Sequence, residues 1–266
     1  MNRIYFNRFL ALVKKSFCLC ILSGFVLPVS SSDHISHKEI REIADICMYS
    51  QRLLKDYALI GLGVDYHNPK KDLAENLVAL KSYFVDLKSH QYDSQITQGI
   101  NQLEVLWQKI EPDLTSKPVK SKMQKLHKLV EEFSHECELI ALQMAKQLNE
   151  KEQNVVLIAE LGMETQRMAA LYMMKVWDVA SPNYDQQVED ILTEYSEIYH
   201  KLLNANDDSI SAEIKQKLKN LEKRFLVFKF MAASKSGRFV PTVAEKNASK
   251  IFEEISHILE LEEGLL

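Results

Sequence analysis

The hexapeptide Met48-Tyr49-Ser50-Gln51-Arg52-Leu53 returns as Met163-Glu164-Thr165-Gln166-Arg167-Met168. The shift, from 48 to 163, is 115 residues, and it holds well outside the hexapeptide. Tyr57 recurs as Tyr172, Val64 as Val179, Asn68 as Asn183, Leu87 as Leu202 and Asp93-Ser94 as Asp208-Ser209. A constant offset over such a length marks a duplicated unit built of several secondary-structure elements.

Each copy opens on a heptad. With Ile40 at position a, the first copy places Ile40, Cys47, Leu54 and Gly61 at a and Ile43, Ser50, Tyr57 and Val64 at d. The second places Val155, Gly162, Ala169 and Val176 at a and Ile158, Thr165, Tyr172 and Val179 at d. Two stretches keeping one seam predict an amphipathic helix packed in a bundle. Beyond the turn Asp65-Tyr66-His67-Asn68-Pro69, helical spacing continues through Leu73, Leu77, Leu80, Phe84 and Leu87, then from Ile96 to Ile110, ending at Pro112. A fourth helix starts near Val119 and carries Met123, Leu126, Val130, Phe133 and Cys137 on its seam. Copy two repeats the plan, with helices over Val188–Leu203, Ile210–Phe230 and Pro241–Leu261.

The patch from Asn149 to Asn154 is polar but holds neither Gly nor Pro. It predicts that the fourth helix runs on into the fifth as one rod from Val119 to Val179, about 90 Å long. The expected architecture is therefore all-α, two tandem up-down four-helix modules, 33–150 and 151–266, joined by a long shared helix.

Composition agrees. The chain has 266 residues, 46% hydrophobic and 26% charged, with only 7 Gly and 6 Pro, too few turn residues for a sandwich or barrel. Residues 1–32 stand apart. Arg3, Arg8, Lys14 and Lys15 precede an apolar run, Phe17 to Val29, and then Ser30-Ser31-Ser32. These are the parts of a secretory signal peptide, and the run falls short of the ~20 residues of a membrane span. The expected location is periplasmic or secreted, the alternative being anchorage to the inner membrane by an uncleaved signal. Without those four basic residues the chain holds 29 Lys+Arg against 37 Asp+Glu, a formal charge of −8. Such a surface is unsuited to nucleic acid.

At the repeated hexapeptide the sequence resembles the periplasmic sensor module of PilJ-type chemoreceptors of type IV pili and of the NarX-like nitrate/nitrite sensor kinases. That family's first helix carries a motif close to A-G-x-x-R-M-x-S-x-R followed by an apolar stretch with a Leu-Gly-Val-like turn. The matching residues run from Ala44 through Met48, Ser50 and Arg52 to Leu62-Gly63-Val64, and from Ala159 through Met163, Thr165 and Arg167 to Trp177-Asp178-Val179. The resemblance covers the chain after residue 32 once per repeat and implies a helical sensing module serving chemotaxis or a related membrane signalling output. The family's first motif arginine, associated with anion binding at a dimer seam, falls here on Cys47 and Gly162, so a nitrate site does not carry over. The sequence reaches Leu266 without a further membrane helix or output segment, so the resemblance is to the sensing part alone.

Arg52 and Arg167 are the candidate ligand-binding cations, able to hold an anion through a forked pair of hydrogen bonds. Ser50, Gln51, Thr165 and Gln166 place hydroxyls and amides where a coiled seam prefers Leu. They either line a pocket for a small anion or polar metabolite, or fix helix register through buried hydrogen bonds. A second apolar stripe, Met48 and Leu59 in copy one and Met163, Met174 and Trp177 in copy two, is either thick internal core or the face for a homodimer or a membrane receptor.

Glu132-Phe133-Ser134-His135 and Glu254-Ile255-Ser256-His257 share the Glu-x-x-His spacing of di-iron bundles, but seam residues turn both pairs to the flank and no metal site follows. No phosphate loop, nucleophile elbow or Cys/His signature is present, so the expectation is a non-enzyme without cofactor. Two functions stand side by side: a sensor-like module that binds a small ligand and relays to a membrane partner, and a structural or adaptor bundle that docks another protein. Finally, Cys47 and Cys137 lie at nearly the same height on neighbouring antiparallel helices one and four. Cys47 is 12 residues beyond Ile35, and Cys137 is 13 residues before Glu150. In an export compartment that geometry predicts a disulfide, two packed free cysteines being the alternative.

Overall fold

The periodicity becomes eight helices in the computed structural model, which describes residues 35–233 and 239–264. They are α1 (His37–Leu62), α2 (Pro69–Ser89), α3 (Ser94–Leu114), α4 (Lys120–Lys146), α5 (Glu150–Val176), α6 (Tyr184–Asn204), α7 (Ala212–Ala233) and α8 (Pro241–Gly264). No strand occurs among the described residues, so the chain is all-α there. The expected leader, residues 1–32, lies outside them. No described helix is long and apolar enough to cross a membrane.

The long shared helix does not form. α4 stops at Lys146, and α5 begins after Asn149, whose side chain accepts a hydrogen bond from the Lys151 amide (2.8 Å). An Asn cap followed by Glu150 and Glu152 in the first turn starts a helix as firmly as Gly or Pro would end one. The Gln147 side chain also donates to Asp93 (2.7 Å), tying the turn to the start of α3. Pro112, too, fails to end its helix at once. It sits in the last turn of α3, which closes two residues later at Leu114.

The reversal at residues 147–149 brings α5 back antiparallel to α4 and hence parallel to α1. The contacts follow the repeat interval. His37 pairs with Glu152, Met48 packs at Gly162, and Gly61 lies against Trp177. α1 and α5 form the most extensive helix pair in the structure. α1 packs on α2 and α4, and α5 on α6 and α8; α3 backs α4, and α7 backs α8. The two inner helices are buried on nearly every side: 18 of 26 residues of α1 and 20 of 27 of α5, against 6 of 21 in α2. Both repeats consequently feed one continuous core.

Several devices recur at the repeat interval. The Tyr57 hydroxyl accepts the Val119 amide (3.3 Å) at the start of α4, and the Tyr172 hydroxyl accepts the Val240 amide (2.8 Å) just before α8. α1 ends with Gly63 in the left-handed region (φ 71°) and the Val64 amide bonded to Leu59 O (3.0 Å). α5 is followed by Asp178 at φ 59° and the Val179 amide bonded to Met174 O (2.9 Å), the same closure without a glycine.

Candidate functional site

Three of the hexapeptide residues, Ser50, Gln51 and Arg167, are joined through Ser134 and Glu131 of α4. Ser50 Oγ lies 2.7 Å from Ser134 Oγ on α4 and 2.7 Å from its acceptor, the Cys47 carbonyl. The Gln51 amide donates to Glu131 (2.8 Å) and Ser134 (3.1 Å). Glu131 also receives Arg167 from the other repeat, whose Nε (2.8 Å) and Nη2 (2.7 Å) converge on a single carboxylate oxygen. The third guanidinium nitrogen, Nη1, reaches Glu194 on α6 (2.7 Å) and Glu164 (3.3 Å). Every nitrogen of Arg167 is thus engaged by a carboxylate of the chain itself, and the forked seat expected for an anion is taken.

The remaining candidates lie apart. The Arg52 guanidinium stacks over the Phe252 ring of α8 (4.0 Å to the centroid), with Nη2 3.6 Å from Asp72. Its buried Nε has no hydrogen-bond partner among the described residues. Thr165 donates back to the Leu161 carbonyl (2.9 Å), the helix-internal option open to any buried threonine. Gln166 donates to the Ala248 carbonyl on α8 (3.0 Å). The positions matching the family's first arginine are closed as well. Cys47 is bonded to Cys137, with Cα atoms 5.6 Å apart. A Cβ at Gly162 would stand only 2.6 Å from Met48 Sδ and 3.1 Å from Ile255 Cγ2.

The expected partner or dimer face is internal. Met48, Leu59, Met163, Met174 and Trp177 are all buried, and even Trp177 is only 8% exposed. The reason lies in the duplication: the apolar stripe of α1 finds the stripe of α5 in the same chain, in parallel and in register. The disulfide crosslinks α1 to α4 across 90 residues, a loop whose closure contributes about 4 kcal/mol in the chain-entropy model.

Around Arg167 the electrostatics are acidic. Burial pushes Glu164 up to about 8; Arg167 opposes the rise, and Glu194 and Glu131 reinforce it. Glu160, one turn earlier, is raised to about 9 by burial and by the charge and hydrogen bond of Glu138 on α4. For Glu131 burial acts upward as well, but the His127 hydrogen bond and the Arg167 charge outweigh it and hold the carboxyl at about 2. One firmly ionised carboxylate therefore anchors the arginine, while Glu160 and Glu164 favour the proton.

A second buried network escaped the sequence reading. Lys55 on α1 is wholly buried, its Nζ 2.7 Å from Glu245 on α8 and 3.2 Å from Asp56. Asn76 on α2 donates to Asp56 (3.3 Å), and Ser249 donates to Glu245 (2.6 Å). Burial lowers the Lys55 pKa, but Asp56 and Glu245 outweigh it and hold the ammonium charged. Burial raises Asp56 to about 6 against the pull of Lys55. In the second repeat the corresponding residues are Ala170 and Leu171, so this ionic tie exists on one side only. That asymmetry between copies was its single sequence signal.

Glu132 and His135 are exposed, as is His257, while Glu254 pairs with Arg224 (2.8 Å). Neither Glu-x-x-His pair points into the core, and no metal-holding group of His, Cys, Asp or Glu occurs among the described residues. Two surface grooves lie elsewhere. One of about 710 Å³ between α3 and α4 is lined by amides, Glu132 and Glu136, and one of about 580 Å³ between α7 and α8 carries Lys217, Lys223, Arg224 and His257. Compared with known proteins, the chain matches no family model, no curated protein and no solved structure.

Proposed function

We propose that this chain is an exported, non-enzymatic helical adaptor whose repeated motif joins its own two halves and whose outer surface meets a macromolecular partner. The single observation that carries this reading is the saturation of Arg167 by Glu131, Glu164 and Glu194. An anion arriving there would have to displace three acidic side chains and remain beside the firmly ionised Glu131. In PilJ-type modules the corresponding seam lies between two chains; here the α1–α5 seam offers the same construction inside one, which favours a monomeric scaffold. The leader-like N-terminus and the resemblance both support a periplasmic setting with a partner at the membrane.

A second reading, a sensor for a small anionic or polar ligand, is favoured by Arg52, whose buried Nε lacks a partner among the described residues. A thermal-shift series with nitrate, nitrite, phosphate and small carboxylates separates the two. The adaptor reading expects no stabilisation by any of them. A ligand at 100 times its dissociation constant would add about 2.7 kcal/mol. A shift of that order that disappears in Arg52→Ala would overturn the adaptor reading and place the sensor site at α1–α2–α8.

A further inference from the structure

α7 differs in charge from every expectation set by its repeat counterpart. It carries six basic residues (Lys215, Lys217, Lys219, Lys223, Arg224 and Lys229) against Glu213 and Glu222, in a chain whose formal charge is −4. α3, at the same place in the first repeat, has Lys109 alone against Glu104, Glu111 and Asp113. Lys219, Lys223 and Lys229 make no ion pair among the described residues. The inner face of α7 is ordinary core, with Ile214, Leu218, Leu221, Phe225 and Phe228 buried.

Its outer face is not ordinary. Phe230 is 75% exposed and Leu226, one turn before it, 41%. The start of α8 and the residues leading into it add Phe239, Val240 and Val243, exposed by 39%, 46% and 41%. The α3–α4 connection of the first repeat offers only Val119 beside Ser116, Lys117 and Pro118. Large apolar side chains are thus exposed at the end of one helix and the start of the next, and with these lysines they make this end of α7 and α8 both apolar and basic. Beside it runs the α7–α8 groove with Lys217, Lys223 and Arg224 along its wall, the last of them paired with Glu254.

We propose that this end of the second repeat docks on an anionic phospholipid bilayer. Phe230, Phe239, Val240 and Val243 enter the headgroup region, and Lys223 and Lys229 lie against lipid phosphates. Charge complementarity selects the occupant: apolar tip and basic collar together match a surface that is anionic outside and apolar just beneath. A purely acidic protein surface would leave the phenylalanines in water. Binding of this kind is peripheral and salt-sensitive, and it does not depend on the adaptor reading.

The test places a local reporter in the full chain. Phe230→Trp introduces an exposed indole, whereas Trp107 and Trp177 are buried at 5% and 8% exposure. Mixed phosphatidylglycerol–phosphatidylcholine vesicles should shift its emission to shorter wavelength, with quenching by brominated lipid; pure phosphatidylcholine vesicles should not. Val85→Trp, at a 73% exposed site on α2, should stay unshifted and thereby report any general insertion driven by the leader. Adding Lys223→Glu and Lys229→Glu to the reporter should weaken vesicle binding at least about tenfold. An unshifted reporter with anionic vesicles, an equal shift with neutral ones, or an equal shift at the α2 site would each overturn the proposal. So would a reporter that responds to an acidic protein and ignores vesicles.

Discussion

Gly61 of α1 lies directly against the indole of Trp177, which follows α5 in the other repeat, and a Cβ on Gly61 would overlap the ring. The missing side chain is what lets the two inner helices close at this end of the molecule. Gly61→Ala should therefore cost about 1–3 kcal/mol by overpacking. Trimming the ring with Trp177→Leu should recover part of that loss, a negative coupling that urea unfolding of the two single variants and the double variant would measure. Trp177→Glu should unfold the chain or leave it severely destabilised. A well-folded Trp177→Glu protein with altered association would mean that this face looks outward.

The Lys55–Glu245 pair joins α1 to α8 across 190 positions, in a place where the second repeat has only apolar residues. Removing the lysine alone leaves Asp56 and Glu245 buried without their direct countercharge, Arg52 acting on them only from farther off. Lys55→Met should lose about 3–5 kcal/mol, whereas Lys55→Met combined with Asp56→Asn and Glu245→Gln should return most of it. Equilibrium urea denaturation reads both. Equal loss in the single and triple variants would show that the packing of the lysine stem matters more than its charge.

Asp178 occupies, at φ 59°, the left-handed position that Gly63 fills at φ 71° in the first repeat. A side chain there is strained by its Cβ, so Asp178→Gly should raise stability by about 0.5–1 kcal/mol. A fall in melting temperature would instead assign the Asp178 carboxylate a stabilising contact.

The acidic cluster gives a pH dependence of definite sign. Glu160 and Glu164 are raised to about 9 and about 8 from an ordinary 4.5, so the folded chain binds these protons more tightly than the unfolded one. Their stabilising effect is full below the unfolded value and is lost as pH rises through the folded ones. Glu131, held at about 2, works the other way, its contribution fading only as pH falls from about 4.5 toward 2. The melting temperature should decline from about pH 5 to about pH 9. Glu160→Gln should flatten that decline, with its benefit at the alkaline end. A melting temperature that rises over this range, or a Glu160→Gln protein that is weaker at both ends, would contradict the assignment.

The repeat interval made much of this legible in advance. It named the equivalent helices and seams, and the same interval reappears in the contacts between α1 and α5. The heights of Cys47 and Cys137 on antiparallel helices were enough to anticipate their bond. The break between α4 and α5 was missed because Asn149 acts through a cap, which interrupts a helix without the backbone oddity of Gly or Pro. Nothing in the local sequence marks Lys55 and Asp56 as buried, since a charge's burial depends on a partner, and Glu245 is 190 residues away from Lys55. The stripe around Trp177 was visible, but whether it faced another chain or the chain's own second half is a tertiary fact that periodicity does not carry. Arg167 shows the same limit: its residue type suggested an anion, and only the fold brings Glu131 and Glu194 to it.

The contact between Arg167 and Glu131 decides whether the motif joins the repeats or waits for a ligand, and a double-mutant cycle measures it. Arg167→Met and Glu131→Gln, singly and together, should show a coupling of about 1–3 kcal/mol in unfolding free energy, with the single arginine variant clearly destabilised. A coupling indistinguishable from zero, in an Arg167→Met protein as stable as the parent, would contradict it and return Arg167 to the role of an open anion seat.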